Sequence, residues 1–345
     1  DIAYVAKLHH ALADGTAASG LLENVMSVEP GSPIRNEPTI ATPAPLPTRK
    51  KLIGAALSEQ PKRLARLPKL LGQTIEGGLS LLRKRHTLRT ADPILFHAPS
   101  TPFNGALGPK RHFDTAKISF TSVKAIKQTL NVTINDVVLA VVAGALRHYL
   151  IRRGTDLSSP LIATIPVGFQ QDGAERRLVG NRLSNLFTSL ATHIEDPVER
   201  IRAIHRNTSV AKSTQASMGI ETLQAWSEYL PPKPYSYGLK LYSSLNIANW
   251  HRSPANVIVS NVKGPSQPLF ISHQRLKALY SVGPVLEGMG LNLTAWSYAG
   301  GLYVAMLANA DVIEQPAELM TLLPEALDEL LKATDSLSGG PRAAA

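Results

Sequence analysis

The stretch from Gly288 to Ala310, GMGLNLTAWSYAGGLYVAMLANA, contains no charged residue, and that leaves it two ways to fold. It either crosses a bilayer as a helix or supplies strands to a sheet. Asn292, Thr294 and Ser297 interrupt the apolar run, and the pattern alternates as strands do. Ala299-Gly300-Gly301 places a turn near the middle. The spacing therefore predicts a hairpin rather than a span, and no transmembrane helix is expected.

The rest of the chain beyond residue 112 reads as elements that would flank such a hairpin. KISFT (117–121), PLIATIPVGF (160–169), NVIVSNVKGP (256–265) and LKALYSVGP (276–284) read as strands. SVKAIKQTL (122–130), INDVVLAVVAGALRHYLIRRG (134–154), the run begun at Asp196-Pro197, and PAELMTLLPEALDELLKA read as helices. Strands and helices of irregular spacing predict an α/β (α+β) fold with a mixed sheet, not a doubly wound parallel one. Apolar residues are 44% of the 345, enough for a large core. There is no cysteine, which excludes a thiol nucleophile, a thiolate zinc site and disulfides, and fits a reducing compartment.

The net charge of +10 is concentrated in one place. Residues 49–89 hold eleven Lys or Arg against Glu59 and Glu76. A prolyl-rich stretch precedes this segment, with six prolines from Pro30 to Pro47, and predicts an extended linker. Three helical pieces broken at Pro61 and Pro68 are then expected, with leucines among the basic residues. Two readings stay open for them: a connector whose cations face water, or a surface that dips into anionic lipid. Nucleic acid is disfavoured, because the basic segment lacks aromatic residues and carries no binding motif.

At the other end, DIAYVAKLHHALADGT reads as a strand over 2–10, a turn, and a helix over about 15–27. Strand alternation would put His10 with Ile2, Tyr4 and Leu8 on an apolar face and His9 on the opposite one. Asp14 can cap the helix, and Gly15 permits close approach. A neutral imidazole at the end of that strand would suit a general base. A satisfied core histidine beside a plain helix cap fits the spacing equally well. A metal site from His9, His10 and Asp14 is disfavoured, because the strand sends the two rings apart. In TIND, Thr133 and Asp136 read as a capping box, which puts Asn135 in the first helical turn. His148 and His205 sit beside arginines on helices and read as surface residues.

HHALADG is similar to the HHxxxDG motif of the acyltransferase superfamily that includes chloramphenicol acetyltransferase and peptide-synthetase condensation domains. TINDVVLAVV (133–142), VGNRLSNLF (179–187), SNVKGP (260–265) and the hairpin resemble, in order, the bacterial wax ester synthase/diacylglycerol acyltransferase family. The resemblance covers nearly the whole chain. It departs at Lys263, where the family usually has Pro, and ahead of the histidines, where the family carries a further segment with a PLW motif. The sequence is therefore expected to be the later part of a longer protein.

The resemblance implies a chloramphenicol-acetyltransferase-like fold of two subdomains with a tunnel between them. Residues 1–29 would end the first, 30–112 would link, and 113–340 would form the second. It implies transfer of a fatty acyl group from acyl-CoA to diacylglycerol or a long-chain alcohol, giving triacylglycerol or wax esters. No cofactor beyond the acyl-CoA co-substrate, no metal and no nucleic acid would be involved. His10 would be the base, Asp14 its structural support, and Asn135 a donor to the oxyanion. His9, Gly15, Asn181, Ser184, Ser260 and Asn261 would line the substrate cavity or fix its walls. A cytoplasmic protein peripheral to the membrane or to lipid inclusions is expected. A condensation-type enzyme using carrier-bound thioesters, or an inactive lipid-binding paralogue, remains open at this point.

Overall fold

The computed structural model describes residues 2–10, 12–32, 45–88, 98–168, 183–218, 225–226, 229–313 and 315–338. Two helices come first, α1 (Gly15–Val25) and α2 (Arg49–Leu88). Strand β1 (Arg111–Ser119) leads into α3 (Phe120–Leu130) and α4 (Ile134–Ile151). Next come β2 (Ile162–Gly168), β3 (Leu183–Ser189), α5 (Pro197–Met218) and α6 (Pro232–Ser244). The chain continues through β4 (Val257–Lys263), the small hairpin β5 (Phe270–Ile271) and β6 (Gln274–Arg275), then β7 (Leu291–Tyr298), β8 (Gly301–Asn309) and α7 (Pro316–Ser338).

The fold is mixed α/β. Its six-stranded sheet runs β1-β8-β7-β4-β2-β3. The outer pairs β1/β8, β7/β8 and β2/β3 are antiparallel, while β2/β4 and β4/β7 at the centre are parallel. The uncharged run is the β7–β8 hairpin, with Tyr298 opposite Gly301. Its two turn residues, Ala299 (φ 43°) and Gly300 (φ 82°), both lie in the left-handed region, as a twist-matched two-residue turn demands.

One face of the sheet meets α4, which is buried along Asp136–Leu146 against Val257 and Val259 of β4, Leu291 and Leu293 of β7, and Val304 and Met306 of β8. Helix α4 is the one described helix long and apolar enough to cross a membrane, and it is spent on this core. Helix α7 adds Leu319, Leu322, Leu323 and Leu327 to the same layer. On the opposite face Met26, Leu269, Tyr298 and Tyr303 form a smaller cluster, and a bridge from Ser27 to Phe270 fastens the end of α1 there.

Three expectations about local structure are corrected. Residues 2–9 form no strand and lie exposed, because no described strand stands beside them to complete a ladder. Residues 276–284 form no strand either. Their backbone is held by side chains: Tyr298 Oη donates to the Leu276 carbonyl at 2.9 Å, and Tyr303 Oη to that of Lys277 at 3.0 Å. The basic segment is one helix through Pro61 and Pro68, not three pieces. The carbonyls that these prolines leave unpaired belong to Leu57 and Leu64, which are exposed and so open to solvent. Most of the expected prolyl linker, residues 33–44, lies outside the described residues.

Candidate active site

Asp14 is buried and caps α1 from an extended conformation (φ −85°, ψ −179°), its carboxylate accepting from Ala17 N at 3.1 Å. That bond satisfies one of the donors a helix start leaves open and fixes where the helix begins. Gly15, the next residue, faces β4. A Cβ placed on it would stand 3.0 Å from Val262 Cγ2, so only a hydrogen fits without displacement. The Asp-Gly pair of HHALADG therefore sets the start of α1 down on Val262 in the SNVKGP run.

The SNVKGP strand is fixed in turn by β7. Ser260, Asn261 and Val262 stand opposite Thr294, Ala295 and Trp296 in parallel register. A Cβ on Gly264 would fall 2.1 Å from Trp296 Nε1 and 2.4 Å from the Ser297 carbonyl oxygen, so no other residue fits there. Ser260 and Asn261 are half-buried, and alternation turns them to opposite faces of the sheet. Lys263, at the position usually held by Pro, is exposed at the strand's end.

His9 and His10 are both exposed, which corrects the expectation that His10 sits on a buried apolar face. That expectation depended on a strand over 2–10, and without one there is no alternation to turn the ring inward. The Leu12 N–H donates to the His9 carbonyl at 2.8 Å, so the two histidines stand on the turn that enters the Asp14 cap.

Asn135 occupies the second position of α4 and is half-buried. The capping box beside it forms as expected: Asp136 N donates to Thr133 Oγ1 at 3.2 Å, and Thr133 N to Asp136 Oδ2 at 3.0 Å. Sequence reasoning missed how Asp136 is tied to α5. His205 Nδ1 lies 2.8 Å from Asp136 Oδ2, and Thr208 Oγ1 donates to Oδ1 at 2.8 Å. An ionised carboxylate only accepts, so the His205 proton resides on Nδ1. Burial pushes the Asp136 carboxyl upward, but the bonds from His205, Thr133 and Thr208 outweigh it and hold the group below its ordinary range. His205 is thus a partner of a buried acid rather than a free surface residue. The available signal was the i, i+3 spacing of His205 and Thr208, which puts two donors on one helix face.

Of the residues singled out, the structure brings Gly15, directly after the Asp14 cap, to the Ser260–Lys263 strand. It does not bring Ser184 there, since Ser184 stands opposite Val167 on edge strand β3, with β2 between it and β4. Asn181 lies outside the described residues.

Two family profiles match in succession. That for the wax ester synthase/diacylglycerol acyltransferase catalytic domain covers residues 1–138, and that for the WS/DGAT C-terminal domain covers 179–331. A Mycobacterium tuberculosis protein provisionally named diacylglycerol O-acyltransferase is 35% identical over 321 residues, 92% of this chain and 66% of its own length. The O-acyltransferase WSD of Acinetobacter baylyi is 30% identical over 92% of this chain and 68% of its own. The wax ester synthase/diacylglycerol acyltransferase from Marinobacter aquaeolei VT8 has the same fold: TM-score 0.61 and 23% identity, over 95% of this chain and 67% of that one. The chain thus spans about two thirds of the length of each relative. Motif order, sheet and relatives agree that this chain belongs to the wax ester synthase/diacylglycerol acyltransferase family.

Proposed function

We propose that the protein transfers a fatty acyl group from acyl-CoA to the hydroxyl of diacylglycerol or of a long-chain alcohol. The observation that carries this reading is the contact of Gly15 with Val262. Two motifs far apart in sequence, HHALADG and SNVKGP, meet there around a buried cap. The buried cap at Asp14 fixes the helix start that follows the turn carrying His10, which supports a role for that turn.

In this reading His10 takes the proton of the acceptor hydroxyl as its oxygen attacks the thioester carbon. The tetrahedral oxyanion then collapses, the carbon–sulfur bond breaks, and the departing CoA sulfur receives the proton held by His10. The ester and free CoA are the products, and no acyl-enzyme intervenes. The chain offers no cysteine and no GxSxG elbow to form one. Asp14 holds the turn and moves no proton. The carboxamide of Asn135, at a helix start where open N–H groups favour negative charge, donates to the oxyanion. His9, Gly15, Ser260 and Asn261 shape the ground beside the reacting atoms, and Asn181 and Ser184 belong to the walls.

A cytoplasmic enzyme peripheral to a membrane or lipid inclusion fits these substrates. Helix α2 supports that placement, with Ile53, Leu57, Leu64, Leu71, Ile75 and Leu79 exposed and Lys51, Lys62, Arg66 and Lys69 around them. The test is CoA release from palmitoyl-CoA with dioleoylglycerol and with hexadecanol, run beside palmitoyl thioester on a carrier protein. Turnover with the carrier alone would replace this reading with a condensation-type one.

A further inference from the structure

Helix α6 buries none of its side chains. Tyr237, Leu241 and Leu245 follow one another at four-residue intervals and so form a single stripe, 70%, 58% and 49% exposed. Trp250, just beyond the helix, is 74% exposed. Fully burying such side chains is worth about 1.5–3 kcal/mol each, so a bare stripe of this size marks a surface that is covered in use.

The stripe is held outward rather than left loose. Ser243 Oγ donates to Glu287 Oε1 at 2.5 Å, and Leu107 N donates to Oε2 of the same carboxylate at 3.1 Å. Asn249 Oδ1 accepts from Ala106 N at 2.7 Å, and Ala248 is buried beneath. At the other end Tyr229 Oη donates to the Arg63 carbonyl of α2 at 2.7 Å, three residues before α6 begins. Both ends are therefore fastened to the body, and the helix face is preorganised.

Charge says what covers it. From Leu230 to Arg252 there is no Asp or Glu, while Lys233, Lys240 and Arg252 are present. Lys233 and Lys240 are seven residues apart, hence on one side of α6, with the Lys240 ammonium 5.9 Å from the centre of the Tyr237 ring. With Pro232, Ser236 and Tyr237 they line a shallow open depression. A phosphate headgroup fits such a pair of cations, and tyrosine and tryptophan prefer the boundary between headgroups and acyl chains. We propose that α6 and the turn ending at Trp250 dock the protein on an anionic lipid bilayer, with Tyr237, Leu241 and Leu245 entering the interface and Lys233 and Lys240 taking a lipid phosphate. The surface holds none of the residues assigned to acyl transfer, so it stands or falls apart from that reading.

The test is flotation of the protein with phosphatidylcholine vesicles containing or lacking phosphatidylglycerol. Y237S/L241S/L245S, checked for unchanged circular dichroism, is expected to lower the partition coefficient about tenfold or more on both vesicles. K233E/K240E is expected to weaken the preference for phosphatidylglycerol and its salt dependence severalfold, the cations of α2 supplying the remainder. Turnover on detergent-dispersed substrate is measured in parallel. Unchanged turnover with lost flotation supports the proposal, and inactivity of the unsubstituted protein would defeat the acyl-transfer reading alone. Parental flotation by either variant overturns the docking surface. So does a triple variant that binds vesicles normally but loses a dimer in sedimentation velocity, because the occupant would then be a second copy.

Discussion

His205 Nδ1 meets the buried Asp136 carboxylate at 2.8 Å, tying the first turn of α4 to the middle of α5. The two residues are far apart in sequence, and each belongs to a different helix of the layer over the sheet. Asn135, the proposed oxyanion donor, directly precedes Asp136, so the orientation of that helix start depends on the pair.

Removing the acid while keeping the donors exposes the strength of this tie. Asp136→Ala leaves the buried Thr208 and the more exposed Thr133 and His205 without their acceptor, and about 2 kcal/mol of unfolding free energy is expected to be lost. Urea denaturation read by tryptophan fluorescence checks it. Because the folded value of Asp136 is lowered, its contribution is complete above the ordinary aspartate range and disappears as pH falls through the lowered value. The difference between wild type and Asp136→Ala should therefore shrink on acidification below about pH 4. A difference independent of pH down to 2 would contradict the charge-based account.

The close approach of Gly15 to β4 makes a second prediction. Gly→Ala near a helix start is ordinarily neutral or stabilising by up to about 1 kcal/mol. Here the added methyl meets Val262 Cγ2 at 3.0 Å, and Gly15→Ala is expected to destabilise by about 1 kcal/mol. Val262→Ala in the same chain should relieve most of that penalty. A double-mutant cycle with zero coupling would show that the two residues do not touch.

Gly264 offers a harsher case. Its added Cβ meets a backbone carbonyl at 2.4 Å, and a carbonyl in a central strand has nowhere to move. Gly264→Ala is expected to cost about 3 kcal/mol or to prevent soluble expression. A thermal midpoint unchanged within 2 °C would refute the packing of β4 on β7 described above.

Arg200 is a buried cation whose Nη1 donates to the carbonyls of Ile194 at 3.1 Å and Glu195 at 3.2 Å, with Glu329 3.8 Å from Nη2. Burial lowers its pKa, and the Glu329 charge opposes that shift. Arg200→Ala leaves those carbonyls unpaired and a void under Gly144, so a loss of about 3–5 kcal/mol is expected in urea denaturation. A loss under 1 kcal/mol would mean that water reaches the site.

How legible was this in the sequence? The hairpin, the capping box at Thr133 and Asp136, and the Asp14 cap were all readable, because each depends on residues adjacent in the chain. The strand over 2–10 was misread because β-propensity says nothing about whether a neighbouring strand is there to pair with. The run at 276–284 was misread for a related reason: the hydroxyls of Tyr298 and Tyr303 supply what a ladder would have supplied. Pro61 and Pro68 were read as breaks, yet a proline on an exposed helix frees carbonyls that water can serve. At the site, the motif residues were legible one by one. The contact between Gly15 and Val262 and the bond between Asp136 and His205 were not, since each joins segments that only the fold brings together.

The most direct measurement is acceptor-dependent CoA release by the protein and its His10→Ala variant, with palmitoyl-CoA and dioleoylglycerol and circular dichroism to establish equal folding. A base that moves the hydroxyl proton is worth about 10²–10⁴-fold, so the variant should fall by at least a hundredfold while keeping its thermal midpoint. A folded variant that retains more than a tenth of wild-type turnover would contradict the account.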